Sequence, residues 1–267
     1  MSTLPAAKSI SLGGRACSYF DVGQGEPLLL LHGFPFTAES WWPLLESPPA
    51  GVRVIAPTHR GFGESALGDG PATMERLAED ALALLDALGV STAFVGGLSM
   101  GGYVAIALAR LDPGRVRGLL LVDTQSLADD AAGQQRREAT AVDVEKNGVD
   151  GVAAGLMGKL FGPNAAPAVK QRIEAMMRAQ PRAAVAAASR GMAARTDGKD
   201  ILSRYAGPCL IVVGAHDAIT PLDKAKVMQE LVKGSAVEVV PDAGHLVPLE
   251  QPEAFRALVE RFVRAGR

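Results

Sequence analysis

One stretch limits this chain more than any other: residues 92–110, TAFVGGLSMGGYVAIALAR. It opens as a short apolar run, Ala93-Phe94-Val95, and turns through Gly96-Gly97-Leu98-Ser99-Met100-Gly101-Gly102. It then continues as a helical pattern, with Val104, Ile106 and Leu108 among alanines. Gly97-Leu98-Ser99-Met100-Gly101 fits G-x-S-x-G, which reads as a nucleophile elbow: a serine on a tight strand-to-helix turn, its hydroxyl held clear of the backbone. The glycines have a steric reason. The serine backbone is strained there, and strand and helix pass so closely that a Cβ two residues to either side would clash. With 30 glycines in 267 residues, however, the five-residue string can arise by accident. A base, an acid and oxyanion donors must therefore be found elsewhere in the chain.

The rest of the pattern gives the elbow a setting. Residues 9–12 and 16–21, separated by Gly13-Gly14-Arg15, read as an antiparallel hairpin. Leu28-Leu29-Leu30-Leu31 is a continuous apolar strand of the kind buried on both faces of a parallel sheet. A helix is expected from about Ala38–Glu39 through Trp41 and Trp42, then a strand over Val52–Pro57. Residues 73–88 form an amphipathic helix capped by Thr73 and ended by Gly89, with Leu77, Ala81, Leu84, Leu85 and Leu88 as its apolar stripe. After the elbow comes another buried strand, residues 118–123. Alternation of strand and helix with short connections predicts a mostly parallel, doubly wound α/β sheet, with ligands beyond the carboxyl ends of its strands.

The alternation stops after Asp123. Residues 124–200 are Ala-rich and helix-prone, with helical spacing at Val149, Val152, Leu156 and Leu160 and again at Val169, Ile173 and Met176 or Met177. Alternation resumes with a strand over Cys209–Gly214, a helix from Pro221, a strand over 237–240 and a closing helix from Pro252. The expected organisation is a core of residues 1–123 and 201–267 with a helical cap of residues 124–200 inserted in it. The cap carries Met157, Met176, Met177 and Met192, and its one aromatic is Phe161. An adaptable lid and ordinary helix packing are equally good readings of those methionines.

Composition narrows the function classes. A net charge of −2 with no basic run argues against nucleic acid. No apolar segment approaches the ~20 residues that span a bilayer, and the N-terminal residues lack the apolar core of a signal peptide, so a cytoplasmic protein is expected. Cys17 and Cys209 sit in apolar strand-like runs and read as buried free thiols. The four histidines and two cysteines show no zinc spacing, and no metal or cofactor is expected. Homo-oligomerisation is left open.

Serine needs a base. His32 and His59 lie on loops where bracing roles are expected, and His216 adjoins an acid. His245 follows a strand end on Asp242-Ala243-Gly244-His245, where Gly244 lets the backbone turn the ring inward, and it is the expected base. With an elbow of this kind the acid follows the serine and precedes the histidine. Asp217, in the loop after Cys209–Gly214, fits; Asp123, at the end of the preceding strand, competes with it, and Asp242 is expected to brace its own loop. The backbone N–H groups of Phe34, in His32-Gly33-Phe34-Pro35, and of Met100 are the expected oxyanion donors.

Taken in order, His32-Gly33-Phe34-Pro35, His59-Arg60-Gly61-Phe62-Gly63-Glu64-Ser65, Gly97-Leu98-Ser99-Met100-Gly101, Gly214-Ala215-His216-Asp217 and Gly244-His245 resemble a serine hydrolase of the α/β-hydrolase superfamily, over nearly the whole chain. The resemblance implies eight strands, a helical cap after the sixth, and acyl transfer through a serine ester. The chain looks like small bacterial carboxylesterases, enol-lactonase-like hydrolases and cofactor-free haloperoxidases or perhydrolases. Serine at position 99 sets it apart from haloalkane dehalogenases and epoxide hydrolases, which place Asp at the elbow. The expected reaction is cleavage of carboxylic esters or lactones of small, largely apolar substrates by Ser99, His245 and Asp217. A triad-bearing small-molecule sensor, or perhydrolase or lyase chemistry on the same triad, is the alternative.

Overall fold

The computed structural model describes residues 4–266. The strands are β1 (Lys8–Leu12), β2 (Arg15–Gly23), β3 (Glu26–Leu31), β4 (Val52–Pro57), β5 (Ala93–Leu98), β6 (Val116–Val122), β7 (Cys209–Gly214) and β8 (Ala236–Val240). They form one sheet in the order β1-β2-β4-β3-β5-β6-β7-β8. β2 runs antiparallel to β1 and β4, and all pairings from β4 through β8 are parallel. The hairpin turn is tighter than expected. Gly13 and Gly14 both take positive φ (57° and 81°), the requirement of a two-residue turn, so Arg15 already pairs with Leu12 in the ladder.

The helices are α1 (Trp42–Glu46), α2 (Met74–Ala87), α3 (Met100–Leu111), α4 (Ala131–Asn147), α5 (Asp150–Met157), α6 (Pro167–Arg178), α7 (Arg182–Ala193), α8 (Lys199–Arg204), α9 (Leu222–Leu231), α10 (Val247–Glu250) and α11 (Pro252–Ala265). The helix expected near Ala38 is two short pieces, a 3-10 turn over Ala38–Trp41 and then α1, with Pro43 in the first turn of α1. Thr73 caps α2 as expected, its hydroxyl accepting from the Arg76 N–H, and Gly89 follows the helix at φ 66°.

The strand periodicity divides the core. Leu29 and Leu31 of β3 pack with Leu77, Leu84, Leu85 and Val104 from α2 and α3. Leu28 and Leu30 pack on the opposite face with Phe255, Val259 and Phe262 of α11 and with Trp41. All four leucines are fully buried, and each such side chain is worth about 2 kcal/mol of burial. Trp41 stacks on Phe255 at 6.1 Å, while Arg172 of α6 lies 4.2 Å over the Trp42 ring, so both tryptophans serve packing.

Helices α4 to α8 all lie between β6 and β7 in the chain. α4 and α7 pack together and are cross-linked by Arg190 with Glu138 and Glu145. Met192 of α7 is buried in the same core as α2 and α3, and Met176 and Met177 of α6 are buried with Ala153, Leu160 and Ile173 on the other side of the sheet. Several bonds tie these helices to the core: Gly63 N–H donates to Gln180 Oε1 at 3.0 Å, Thr196 Oγ1 to Glu75 at 3.1 Å, and Arg110 to Asp200 at 2.6 Å. No described helix is long and apolar enough to cross a membrane.

Candidate active site

Ser99 joins β5 to α3 with φ 54° and ψ −115°, the left-handed region that a serine occupies only when its surroundings force it. Three glycines make the turn feasible. A Cβ on Gly97 would overlap the Gly101 carbonyl, and one on Gly101 would overlap Leu31 O at the end of β3. A Cβ on Gly102 would overlap the Thr124 side chain. Ser99 is then tied down by its backbone: its N–H donates to Val122 O at 3.0 Å, and its carbonyl accepts from Gly102 N–H at 2.9 Å and Thr124 Oγ1 at 2.7 Å. The residue itself is half-buried, so the turn stays reachable from outside.

The four strand ends beside β5 carry the other expected groups. Gly214 and Val240 are register partners, so the loops after β7 and β8 start side by side. Asp217 and His245, one from each loop, are buried and hydrogen-bonded, Nδ1 to Oδ2 at 2.9 Å. The other oxygen of Asp217 accepts from the N–H groups of Ile219 (2.8 Å) and Thr220 (2.9 Å). Thr220 Oγ1 donates to Asp217 Oδ2 at 2.8 Å and lies 3.3 Å from His245 Nδ1. Burial pushes the Asp217 carboxyl up, but the His245 hydrogen bond and charge and the two backbone N–H groups outweigh it, leaving the pKa below the usual value.

Asp123 does not touch the histidine. Its Oδ1 accepts from Gly214 N–H at 2.9 Å and its Oδ2 from Val247 N–H at 3.1 Å. It is fully buried with φ 44°, and burial followed by the neighbouring Asp217 charge holds its carboxyl well above the usual range. Asp123 is thus a strut. It draws residues 245–247 from the end of β8 back over the end of β6, whose last residue, Val122, accepts the Ser99 N–H. Among the described residues Ser99 Oγ and His245 Nε2 are not hydrogen-bonded to each other.

The loop after β3 flanks the elbow on its other side, where a Cβ on Gly33 would stand 3.2 Å from Leu98 O. The Phe34 N–H has no acceptor among the described residues, and the Met100 N–H is the first of α3, where no intrahelical acceptor exists. His32 braces this loop with both ring nitrogens, Nδ1 to Gly33 O at 2.9 Å and Nε2 to the His59 N–H at 2.9 Å. The His59 ring lies 4.2 Å from it, tilted by 48°, and its Nε2 finds no partner, so His59 braces the loop through its backbone N–H. Burial pushes His32 well below its ordinary pKa and His59 down to about 4, so both rings are neutral. Asp242 takes φ 58° and accepts from Asn164 Nδ2 at 3.1 Å, a bracing role.

Two participants escaped the sequence reading. Thr220 stands three residues after Asp217, a spacing at which a hydroxyl commonly returns to a carboxylate turn, and that signal was available. Glu250 binds backbone of the His245 loop, and nothing in its sequence setting marks it. Near Phe34 a cavity of about 470 Å³ opens between the loop and helices α4 and α5. Val152 and Leu156 line it together with Arg137, Thr140 and Asp143. Its wall is mainly apolar, with those three polar side chains set into it. Among the described residues no group of three or more His, Cys, Asp or Glu could hold a metal ion.

The family profile for the alpha/beta hydrolase fold matches residues 26–252. The chain belongs to the alpha/beta hydrolase fold family. An esterase from Thermogutta terrifontis superposes with a TM-score of 0.91 at 36% identity, over 98% of this chain and 99% of that one. A hydrolase from Pseudomonas aeruginosa PA01 does so with a TM-score of 0.87 at 31% identity, over 96% and 98%. In sequence the chain is 32% identical to the dihydrolipoyllysine-residue acetyltransferase component of the acetoin cleaving system of Pseudomonas putida, over 97% of this chain and 70% of that protein. It is 28% identical to 3-oxoadipate enol-lactonase 1 of Acinetobacter baylyi, over 84% of each. These neighbours support hydrolase activity for this alpha/beta hydrolase.

Proposed function

We propose that this protein hydrolyses carboxylic esters or lactones of small substrates through an acyl-enzyme on Ser99. The observation that carries the reading is the buried Asp217–His245 pair, held by Asp123 over the strand end that also anchors the strained Ser99. The mechanism follows from those positions. The Asp217 carboxylate keeps the proton on His245 Nδ1, which leaves Nε2 as the acceptor for the Ser99 hydroxyl proton. Ser99 Oγ bonds to the carbonyl carbon, and the oxyanion takes the N–H groups of Phe34 and Met100. The imidazolium at His245 returns its proton to the leaving alkoxide as the C–O bond breaks. Water, deprotonated by the same ring, then attacks the acyl-enzyme and releases the acid and free serine. In a lactone the leaving alkoxide stays attached, and the product is a hydroxy acid.

The cavity wall of Val152 and Leu156 with Arg137, Thr140 and Asp143 supports substrates that combine an apolar acyl portion with a polar group. A panel of p-nitrophenyl esters, simple lactones and acyl-homoserine lactones, run with Ser99→Ala alongside, tests the reading. Turnover of at least one class by the native chain, with loss to background in Ser99→Ala, is expected. Near-native turnover by Ser99→Ala would sink it.

A further inference from the structure

The loop that carries His245 is gripped from a side that the sheet does not supply. The His245 N–H donates to Leu160 O at 2.8 Å, in the chain just after α5. Two residues later the Gly162 N–H donates to Glu250 Oε2 at 2.7 Å. The other oxygen of Glu250 accepts from the N–H groups of Gly244 at 2.9 Å and Leu246 at 3.3 Å. One carboxylate therefore holds both chain neighbours of His245 and the helical insertion together. The two backbones are in contact at this point: a Cβ on Gly162 would lie 2.9 Å from Asp242 O and 3.0 Å from Gly244 N, and one on Gly244 would lie 2.6 Å from Phe161 C.

We propose that Glu250 is a positioning residue for His245, acting through the backbone of residues 244 and 246 and through the 160–162 segment. The proposal rests on His245 being the base, as proposed above. The chemistry of the contact requires a carboxylate. Two oxygens offer about four acceptor sites, and bonds to an ionised acceptor are about twice as strong as neutral ones. Glutamine offers one acceptor oxygen and an NH₂ group. Whichever way it points, a backbone N–H faces another N–H, so either the Gly162 tie or the Gly244–Leu246 pair is lost. Burial raises the Glu250 pKa, against the pull of these three N–H groups and the His245 charge. Through these bonds the 160–162 segment stays seated on the core. The insertion cannot lift there without loosening the base.

The test compares native protein, Ser99→Ala, Glu250→Gln, Glu250→Asp and Gly162→Ala in ester turnover, amide hydrogen exchange and the low-field proton resonance of His245 Nδ1. Glu250→Gln should lower kcat by about tenfold to a hundredfold, the scale of a sub-ångström to 1 Å misplacement, with KM within about threefold. Exchange at Gly162, Gly244 and Leu246 should speed up by about tenfold or more while Phe94 and Val95 in β5 stay protected, and the His245 proton should broaden. Gly162→Ala should give the same pattern from the other side, and Glu250→Asp, which keeps the charge, should recover part of the rate. Glu250→Gln with kcat within about twofold of native and unchanged exchange at those three amides overturns the proposal. Should Glu250→Gln fail to fold, the same two readouts on Glu250→Asp and Gly162→Ala decide it. If Ser99→Ala keeps native turnover, or native protein has none, the ester-hydrolase reading fails; the exchange data and the His245 resonance still decide whether Glu250 seats the histidine.

Discussion

Replacing Asp217 by Asn tests the proposed triad at its most informative point, because the surroundings dictate how the amide must sit. Asp217 Oδ1 accepts two backbone N–H groups, from Ile219 and Thr220, at 2.8 and 2.9 Å. An asparagine keeps both bonds only by placing its oxygen there. Its NH₂ then faces Thr220 Oγ1 and His245 Nδ1, where Oδ2 now stands at 2.8 and 2.9 Å. The threonine hydroxyl can turn and accept. The imidazole must present a bare Nδ1 to the amide proton, which moves its own proton to Nε2, where it can no longer take one from Ser99. The fold should lose about 1 kcal/mol, since the two hydrogen bonds at Oδ2 reverse direction but keep their partners. The chemistry should lose about ten-thousandfold in kcat, close to 5 kcal/mol of barrier, with KM nearly unchanged. The assay is p-nitrophenyl ester turnover by Asp217→Asn against Ser99→Ala as the blank, with thermal unfolding to confirm the fold. A kcat within about tenfold of native would refute the reasoning. So would a larger loss from Asp123→Asn, whose carboxylate touches Gly214 and Val247 instead of the ring.

Two further outcomes follow from the geometry. Gly101→Ala should destabilise the fold by at least about 3 kcal/mol, because its Cβ would overlap the backbone carbonyl of Leu31, which cannot move aside as a side chain could; a urea midpoint equal to native would contradict that. Acid stability should report the buried histidines. His59 has a folded pKa of about 4 against an ordinary value of 6.5, so its contribution is fully present above pH 6.5 and is lost as pH falls toward 4 and below. The size is about 3 kcal/mol; His32, also depressed, adds a loss of the same sign, while the raised carboxyls of Asp123 and Glu250 act in the opposite direction. Urea titrations between pH 7.5 and 4 should show this slope, and His59→Phe should flatten it; an equal slope in the variant would discard the assignment.

Much of the molecule is legible in the chain because its signals are local. Leu28 to Leu31 reads as a strand buried on both faces, and Thr73 and Gly89 bracket α2 by their own hydrogen-bonding and φ preferences. The elbow is legible for the same reason: Gly97, Gly101 and Gly102 mark places where backbones approach too closely for a Cβ. The helices between β6 and β7 were legible only as helices. Their stripes say that they pack, while the positions of Arg137, Thr140 and Asp143 on the cavity wall depend on how α4 and α5 rotate against the Phe34 loop.

By itself the sequence determined the strand–helix order, the hairpin, the serine at the strained turn and the histidine on the last strand's loop, since periodicity, caps and glycine sterics act over a few residues. The place of the acid along the chain already favoured Asp217 over Asp123, and the tertiary structure adds how each aspartate is held. Asp123 directly follows β6, whereas Asp217 lies in the loop after β7. Asp217 faces an imidazole, while Asp123 faces two backbone N–H groups contributed by residues 214 and 247. Only the tertiary structure decided which groups Thr220 and Glu250 meet. Their partners are other loops, and which loops meet is settled by the packing of the whole sheet rather than by any residue's neighbours in the chain.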